Sequence, residues 1–154
     1  MVIFRDARRA DVPAIVALLA DDILGSDRET GQVDAAYWAA FEQIQSDPRS
    51  RLIVAEADSQ DGQDGQVAGT LQLNLLPGLS RHGMLRAQIE GVRIAAPHRG
   101  RGLGRTMIEW AIEQAREQGC GLVQVTSDKQ RRDAVRFYES LGFKASHEGL
   151  KLSL

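Results

Sequence analysis

The stretch that most limits what this chain can fold into is Arg86 to Arg105, RAQIEGVRIAAPHRGRGLGR. Leu85, Ala87 and Ile89 alternate as one face of a strand does, but the next apolar pair, Val92 and Ile94, is out of phase with them by one residue. One extra residue near Glu90 and Gly91 is the signature of a β-bulge, which re-aims the backbone and is common beside active sites. The strand predicted here is bent and partly unpaired. After it come Arg99, Gly100, Arg101, Gly102, Leu103 and Gly104, then Met107, Ile108, Ala111, Ile112 and Ala115 at helical spacing. Glycines between a strand's end and a helix's start leave backbone N–H groups uncovered, and the helix dipole adds positive potential. The junction therefore predicts an anion cradle, with phosphate its usual occupant.

Spacing excludes two common phosphate loops. A dinucleotide fingerprint needs GxGxxG, but its third glycine position holds Arg105, and Gly104 falls one residue early. A P-loop needs GKS or GKT after its glycines, and neither occurs. A net charge of -2 argues against general nucleic-acid affinity. The basic residues cluster instead at Arg99, Arg101 and Arg105 and at Lys129, Arg131, Arg132 and Arg136, flanking the predicted cradle, which points to a polyanionic cofactor.

In chain order, Val2 to Arg5 predicts a short strand, and Asp11 caps a helix whose Ile15, Val16, Leu18, Leu19 and Ile23 form an apolar stripe. Asp21 to Val33 is polar and glycine-punctuated, a loop. A second helix starts at Asp34, carries Tyr37, Trp38, Phe41 and Ile44 mainly as core, and stops before Pro48. Arg51 to Ala57 and Gln66 to Leu75 are strands joined by SQDGQDGQ, and Leu71, Leu73 and Leu75 give the second one buried face. Leu76 to Gly83 is a loop. The helix after the cradle ends at Gly119. Leu122 to Thr126 is a buried strand, and Ser127 or Asp128 caps a last helix with Ala134, Val135, Phe137, Tyr138 and Leu141 inward. Phe143 to Ala145 and Leu150 to Leu154 are expected to pair as a terminal hairpin. The 154 residues read as one domain, 1–154, with an α/β fold of mixed sheet and helices on both faces.

Cys120 is the only cysteine, which suits a reducing cytoplasm and a small packed residue. His82, His98 and His147 lack metal-ligand spacing, so no metal is expected. The absence of a long apolar run or an apolar leader predicts neither a membrane span nor a signal peptide.

RGRGLG behind a bulged strand resembles the Q/R-x-x-G-x-G/A pyrophosphate loop of the GNAT N-acetyltransferase superfamily, and Asp133 to Phe143, DAVRFYESLGF, resembles its A-x-x-x-Y-x-x-x-G-F segment. Ala134, Tyr138, Gly142 and Phe143 hold the matching positions; the asparagine often found seven residues before the tyrosine is Arg131 here, whose guanidinium suits a phosphate. The resemblance implies a mostly antiparallel GNAT-like sheet with splayed central strands, and acetyl-CoA as co-substrate. Val92, Arg93 and Ile94 would bind its pantetheine arm through their backbone. Arg99, Gly100, Arg101, Gly102, Leu103, Gly104 and Arg105 would hold its pyrophosphate, with Arg131, Ala134 and Phe137 nearby. It implies acetyl transfer to a primary amine of a small molecule or peptide, and often a homodimer. Such an amine is mostly protonated at neutral pH, with a pKa of about 10.4, so a base is needed. Glu90, at the bulge, is the candidate base, the backbone N–H of Val92 or its neighbour the oxyanion donor and Tyr138 the acid for the departing thiolate. A non-catalytic acyl-CoA-sensing module and a binder of some other nucleotide phosphate are the alternatives.

Overall fold

The computed structural model describes residues 1–22, 24–29, 31–58 and 65–154. In order these form β1 (Val2–Asp6), a 3-10 turn (Arg9–Asp11), α1 (Val12–Ala20), α2 (Ala35–Ser46), β2 (Ser50–Ala57), β3 (Gln66–Leu76), a helical turn (Ser80–Gly83) inside the stretch expected as a loop, β4 (Arg86–Ile94), a second 3-10 turn (Ala96–His98), α3 (Leu103–Glu117), β5 (Leu122–Val125) and α4 (Arg132–Glu139). The strands lie side by side in the order β1-β2-β3-β4-β5, the first four antiparallel and β5 parallel to β4. This is the mixed, mostly antiparallel α/β architecture that the sequence predicts.

Strand alternation sorts the side chains to two faces. Ile53, Leu71, Leu73, Ala87 and Ile89 pack against Met107, Ile108, Ala111 and Ala115 of α3, joined by Phe137 and Tyr138 of α4. Val54 on the other face packs with Val12, Ile15 and Val16 of α1 and Phe41 of α2. Asp34 caps α2 by accepting from the N–H groups of Ala36 (3.0 Å) and Tyr37 (3.3 Å).

The phase slip in β4 is a bulge. Thr70 sits opposite Arg93 and Gln72 opposite Glu90, so Leu71 alone faces both Gly91 and Val92. Gly91 takes φ 60°, a left-handed value that glycine adopts freely. The extra residue returns Val92 and Ile94 to the α3 face with Ala87 and Ile89, while Glu90 and Arg93 project to the α1 face. β5 pairs with β4 only from Arg86 to Ile89. Beyond Ile89 the two strands part.

Four expectations are corrected or fall outside the description. Residues 143–154 contain no strand; Leu150, Leu152 and Leu154 stand exposed, because an isolated hairpin is marginal in water and β5 offers only four residues to extend. Asp11 does not cap α1 with its side chain. Its carboxylate instead receives the Arg5 guanidinium at 2.7 and 3.1 Å and the Arg8 N–H at 2.6 Å, stronger charge-assisted bonds than a cap supplies. Neither Ser127 nor Asp128 caps α4, which starts later, at Arg132; Asp128 closes a turn onto the Gln130 N–H at 2.9 Å. Ile23 and most of the SQDGQDGQ connection, residues 59–64, lie outside the described residues. Among the described residues no helix is long and apolar enough to cross a membrane.

Gly91→Ala tests the bulge. An added Cβ would meet only Leu19 Cδ2, at 3.9 Å, so the cost is backbone strain alone. Equilibrium denaturation should show a loss of about 1–2 kcal/mol, partly recovered in Gly91→Asn. A midpoint equal to the parent's would mean the left-handed turn is not held.

Candidate active site

Where β4 and β5 part, β4 keeps a neighbour on only one side. The Ala95 N–H bonds the Ala68 carbonyl at 2.8 Å, so alternate residues from Ala95 back, Arg93 included, turn their backbone groups toward β3. Val92 and Ile94 turn theirs the other way, into the gap. Arginine side chains occupy both carbonyls there: Arg93 Nη1 donates to Val92 at 2.9 Å, and Arg99 Nε donates to Ile94 at 2.9 Å. The N–H groups of Val92 and Ile94 are left as donors facing the gap. Arg93, expected to offer backbone, lies at the gap through its side chain instead.

The glycine loop lies directly beyond. Gly100 and Gly102 take φ 71° and 83°, and a Cβ built on either would meet nothing within 4 Å. The N–H groups of Leu103, Gly104 and Arg105 precede the first helical bond, Thr106 N–H to Gly102 carbonyl at 3.1 Å, and no side chain caps them. A Cβ on Gly104 would stand 3.7 Å from Ile94 Cγ1 and 3.8 Å from Phe137 Cζ, so the cradle, β4 and α4 meet at this glycine. Ala134, one turn before Phe137, lies on the same helix. Two of the loop's guanidinium groups are already engaged: Arg99 with Asp21 (3.0 Å), and Arg105 with Ser140 Oγ (2.8 Å) and Glu109 (3.4 Å). Arg101 has no ion pair or hydrogen bond among the described residues.

Glu90 is exposed at one end of a cavity of about 690 Å³ lined also by Ser50, Asn74, Gln88, Thr126 and Lys151. Its carboxylate has no protein partner among the described residues. Tyr138 stands on the opposite face of the sheet, edge-on to Phe137 (5.1 Å between centroids) and Phe143 (5.5 Å). Burial pushes its phenol up from the ordinary value, and the positive charges of Arg131 and Arg93 pull back only part of that rise. Its hydroxyl makes no hydrogen bond among the described residues, so at neutral pH it is a proton donor without an acceptor. Burial likewise pushes the half-buried Cys120 thiol up from its ordinary value.

Arg131, expected near phosphate, pairs with Asp22 at the end of α1, and Arg93 Nη2 meets the same carboxylate oxygen at 3.1 Å. Burial raises the Asp22 carboxyl, but the two guanidinium groups outweigh it and hold the group below its usual range. The Asp22 carboxylate and the Arg93 side chain are site features that sequence reasoning missed. Asp22 and Arg131 are 109 residues apart, and no local pattern links them. Ser127, just past β5, carries a buried hydroxyl without a partner.

Tyr138's ionisation is directly measurable, because the chain has only two tyrosines. The phenolate absorbance of the wild type minus that of Tyr138→Phe should titrate with a midpoint above about 10. Because the folded value is raised, the stability linked to this group is present in full below the unfolded value and fades as pH climbs through the folded one. A difference curve centred at or below the ordinary value would contradict the burial of this group.

The model of the acetyltransferase (GNAT) family matches residues 17–143. The aminoalkylphosphonate N-acetyltransferase of Salmonella typhimurium is 34% identical over 84 residues, 54% of this chain and 54% of that protein. The glucosamine 6-phosphate N-acetyltransferase of Trypanosoma brucei brucei is 33% identical over 90 residues, 58% of this chain and 59% of that one. The chain thus spans little more than half the length of these curated relatives. A solved structure described as a transcriptional regulator of Bacillus halodurans C-125 is 46% identical over 100% of both chains, with a TM-score of 0.93. A Trypanosoma brucei acetyltransferase is 25% identical over 100% of both, with a TM-score of 0.80.

Proposed function

This chain belongs to the acetyltransferase (GNAT) family, and from that premise we propose that it moves the acetyl group of acetyl-CoA to the primary amine of a small molecule by direct attack. One observation carries the reading: the open edge of β4 runs straight into an uncapped glycine cradle. The residues fit acetyl-CoA. An amide-bearing arm can satisfy the Ile94 N–H as an added strand would, and Gly100 to Arg105 offer converging amides to a diphosphate. When bound, acetyl-CoA supplies the acetyl thioester.

Every other role falls to the chain's own residues. Glu90, unpartnered beside the large cavity, removes a proton from the incoming amine directly or through water. The Val92 N–H, fixed by the bulge, receives the developing negative charge on the carbonyl oxygen. Tyr138 keeps its proton at neutral pH and hands it to the departing thiolate. Arg101 adds positive charge beside the cradle, whereas Arg99, Arg105 and Arg131 are tied to protein partners and steady its frame. Relatives named for aminoalkylphosphonate and glucosamine 6-phosphate favour a small-molecule acceptor over a peptide. We read the protein as a cytoplasmic single domain, 1–154, and as a homodimer in which a second copy covers Leu150, Leu152 and Leu154.

A second reading is an acyl-CoA sensor without turnover, favoured by the neighbour described as a transcriptional regulator. Release of free thiol from acetyl-CoA across a panel of amines separates the two; binding without release would support the sensor. In the same assay Glu90→Gln should cut the rate about 100-fold at neutral pH and retain a growing fraction of it as the amine deprotonates at high pH. A parallel pH profile would remove Glu90 from the reaction. Gly102→Trp should abolish acetyl-CoA binding by calorimetry, and undiminished binding would place the cradle elsewhere.

A further inference from the structure

The charges at the end of β4 do not balance. Arg93 and Arg131 share one carboxylate oxygen of Asp22, and the other charged groups around Arg93 are Arg28 and Glu29. Two guanidinium groups therefore rest on one carboxylate, while the opposite charges of Arg28 and Glu29 act on Arg93 only through space and offset each other. The cluster is largely out of water: the Arg93, Asp22 and Arg131 side chains are 15%, 18% and 31% exposed. Arg93 Nε is buried with no partner, and of the Arg131 side chain only Nη2 is engaged among the described residues. Burial and the neighbouring Arg131 both disfavour the charged form of Arg93, the mark of a site short of negative charge. Two cations on one carboxylate and an orphaned buried donor are costly unless something satisfies them. A planar fork with spare donors is matched by a phosphate, phosphonate or carboxylate group.

The position of this unmet charge indicates what it meets. Glu90 and Arg93 flank the bulge and project from the same face of β4, the face that holds the large cavity. Three residues of extended chain span about 10 Å, and a bulge shortens that. A compact molecule can reach both groups at once. The cradle, by contrast, has its own uncapped amides, and its loop is reached through Arg99, which turns to Asp21.

We infer that Arg93 and Arg131 form an anion subsite for the acceptor, so that the amine acetylated here carries a phosphate, phosphonate or carboxylate group within about 10 Å of its nitrogen. The inference rests on the acetyltransferase reading above and adds a substrate class to it.

The test begins with protein saturated in coenzyme A, which fills the cradle. Inorganic phosphate should then still raise the melting temperature of the wild type. Arg93→Met and Arg131→Gln, each kept saturated with coenzyme A, should lose that response. The thiol-release assay is then run with primary amines paired with and without the anion, such as phosphoethanolamine against ethanolamine. The anionic partner should be preferred by about tenfold or more in kcat/KM, and either substitution should bring that ratio close to one. If phosphate gives no response on the saturated wild type, or if the saturated variants respond as the wild type does, the cluster does not hold the acceptor's anion and the proposal falls. Turnover that favours uncharged amines also overturns it. Absence of thiol release with every amine would overturn the acetyltransferase reading itself, while the phosphate response would still report on the anion subsite.

Discussion

The architecture turns on a backbone left without a neighbour. A strand inside a sheet has both sets of amide groups consumed by the ladders beside it, and β4 loses one ladder after Ile89. Buried polar backbone does not stay unsatisfied, and the chain meets half of this demand itself: Arg93 and Arg99 fold back onto the carbonyls of Val92 and Ile94. Side chains ending in guanidinium groups can only donate, so they quench carbonyls and leave the N–H groups untouched. What is left at the gap is a row of donors, continued by the uncapped amides at the start of α3. The bulge at Gly91 and the glycines at 100 and 102 are therefore one device, which turns a sheet edge into a surface that accepts electron-rich groups along its length.

Charge reinforces this geometry from one side. Asp21 and Asp22, at the end of α1, take Arg99, Arg93 and Arg131, so one short acidic stretch touches β4, the loop after it and the segment before α4. These bonds connect elements on both sides of the gap without any strand pairing across it. The Arg93 and Arg131 bonds are partly buried and share the Asp22 carboxylate, whereas the Arg99–Asp21 pair is exposed and counts as an ordinary surface pair. The strands part, yet the frame around the opening is tied together through α1. Two adjacent acids against three arginines leave the frame electropositive, the sign that an anionic partner would complete.

Much of this was legible in the sequence because it is local. A one-residue slip between Ile89 and Val92 can be read directly as a bulge, and glycines ahead of an amphipathic helix read as an exposed N-terminus. The two-sided sheet follows from Leu71 and Leu73 alternating with polar residues. Other features failed where tertiary partners outbid local preference. Asp11 has the spacing of a cap, but Arg5 on a neighbouring strand claims its carboxylate. The leucines at 150, 152 and 154 have the period of a strand and no partner strand beside them. The Asp22 bridge joins residues separated by most of the chain, and its members look like ordinary surface charge until the fold brings them together.

The two faces of the sheet give the opening its chemical meaning. Glu90 lies on the α1 face and Tyr138 on the α3 face, and a continuous sheet would keep a proton acceptor on one side from cooperating with a proton donor on the other. Under the proposed reading a single reacting centre reaches both where β4 and β5 separate. An acyl transfer that takes a proton from the nucleophile and returns one to the leaving group needs groups of opposite proton demand on opposite sides of the bond being exchanged. The environments supply that difference: Glu90 is exposed and unpartnered, whereas Tyr138 is half-buried against Phe137 and Phe143, where desolvation favours its protonated form. Under the proposed reading the splay thus admits the cofactor and also lets one sheet keep its acid and its base apart until substrate joins them.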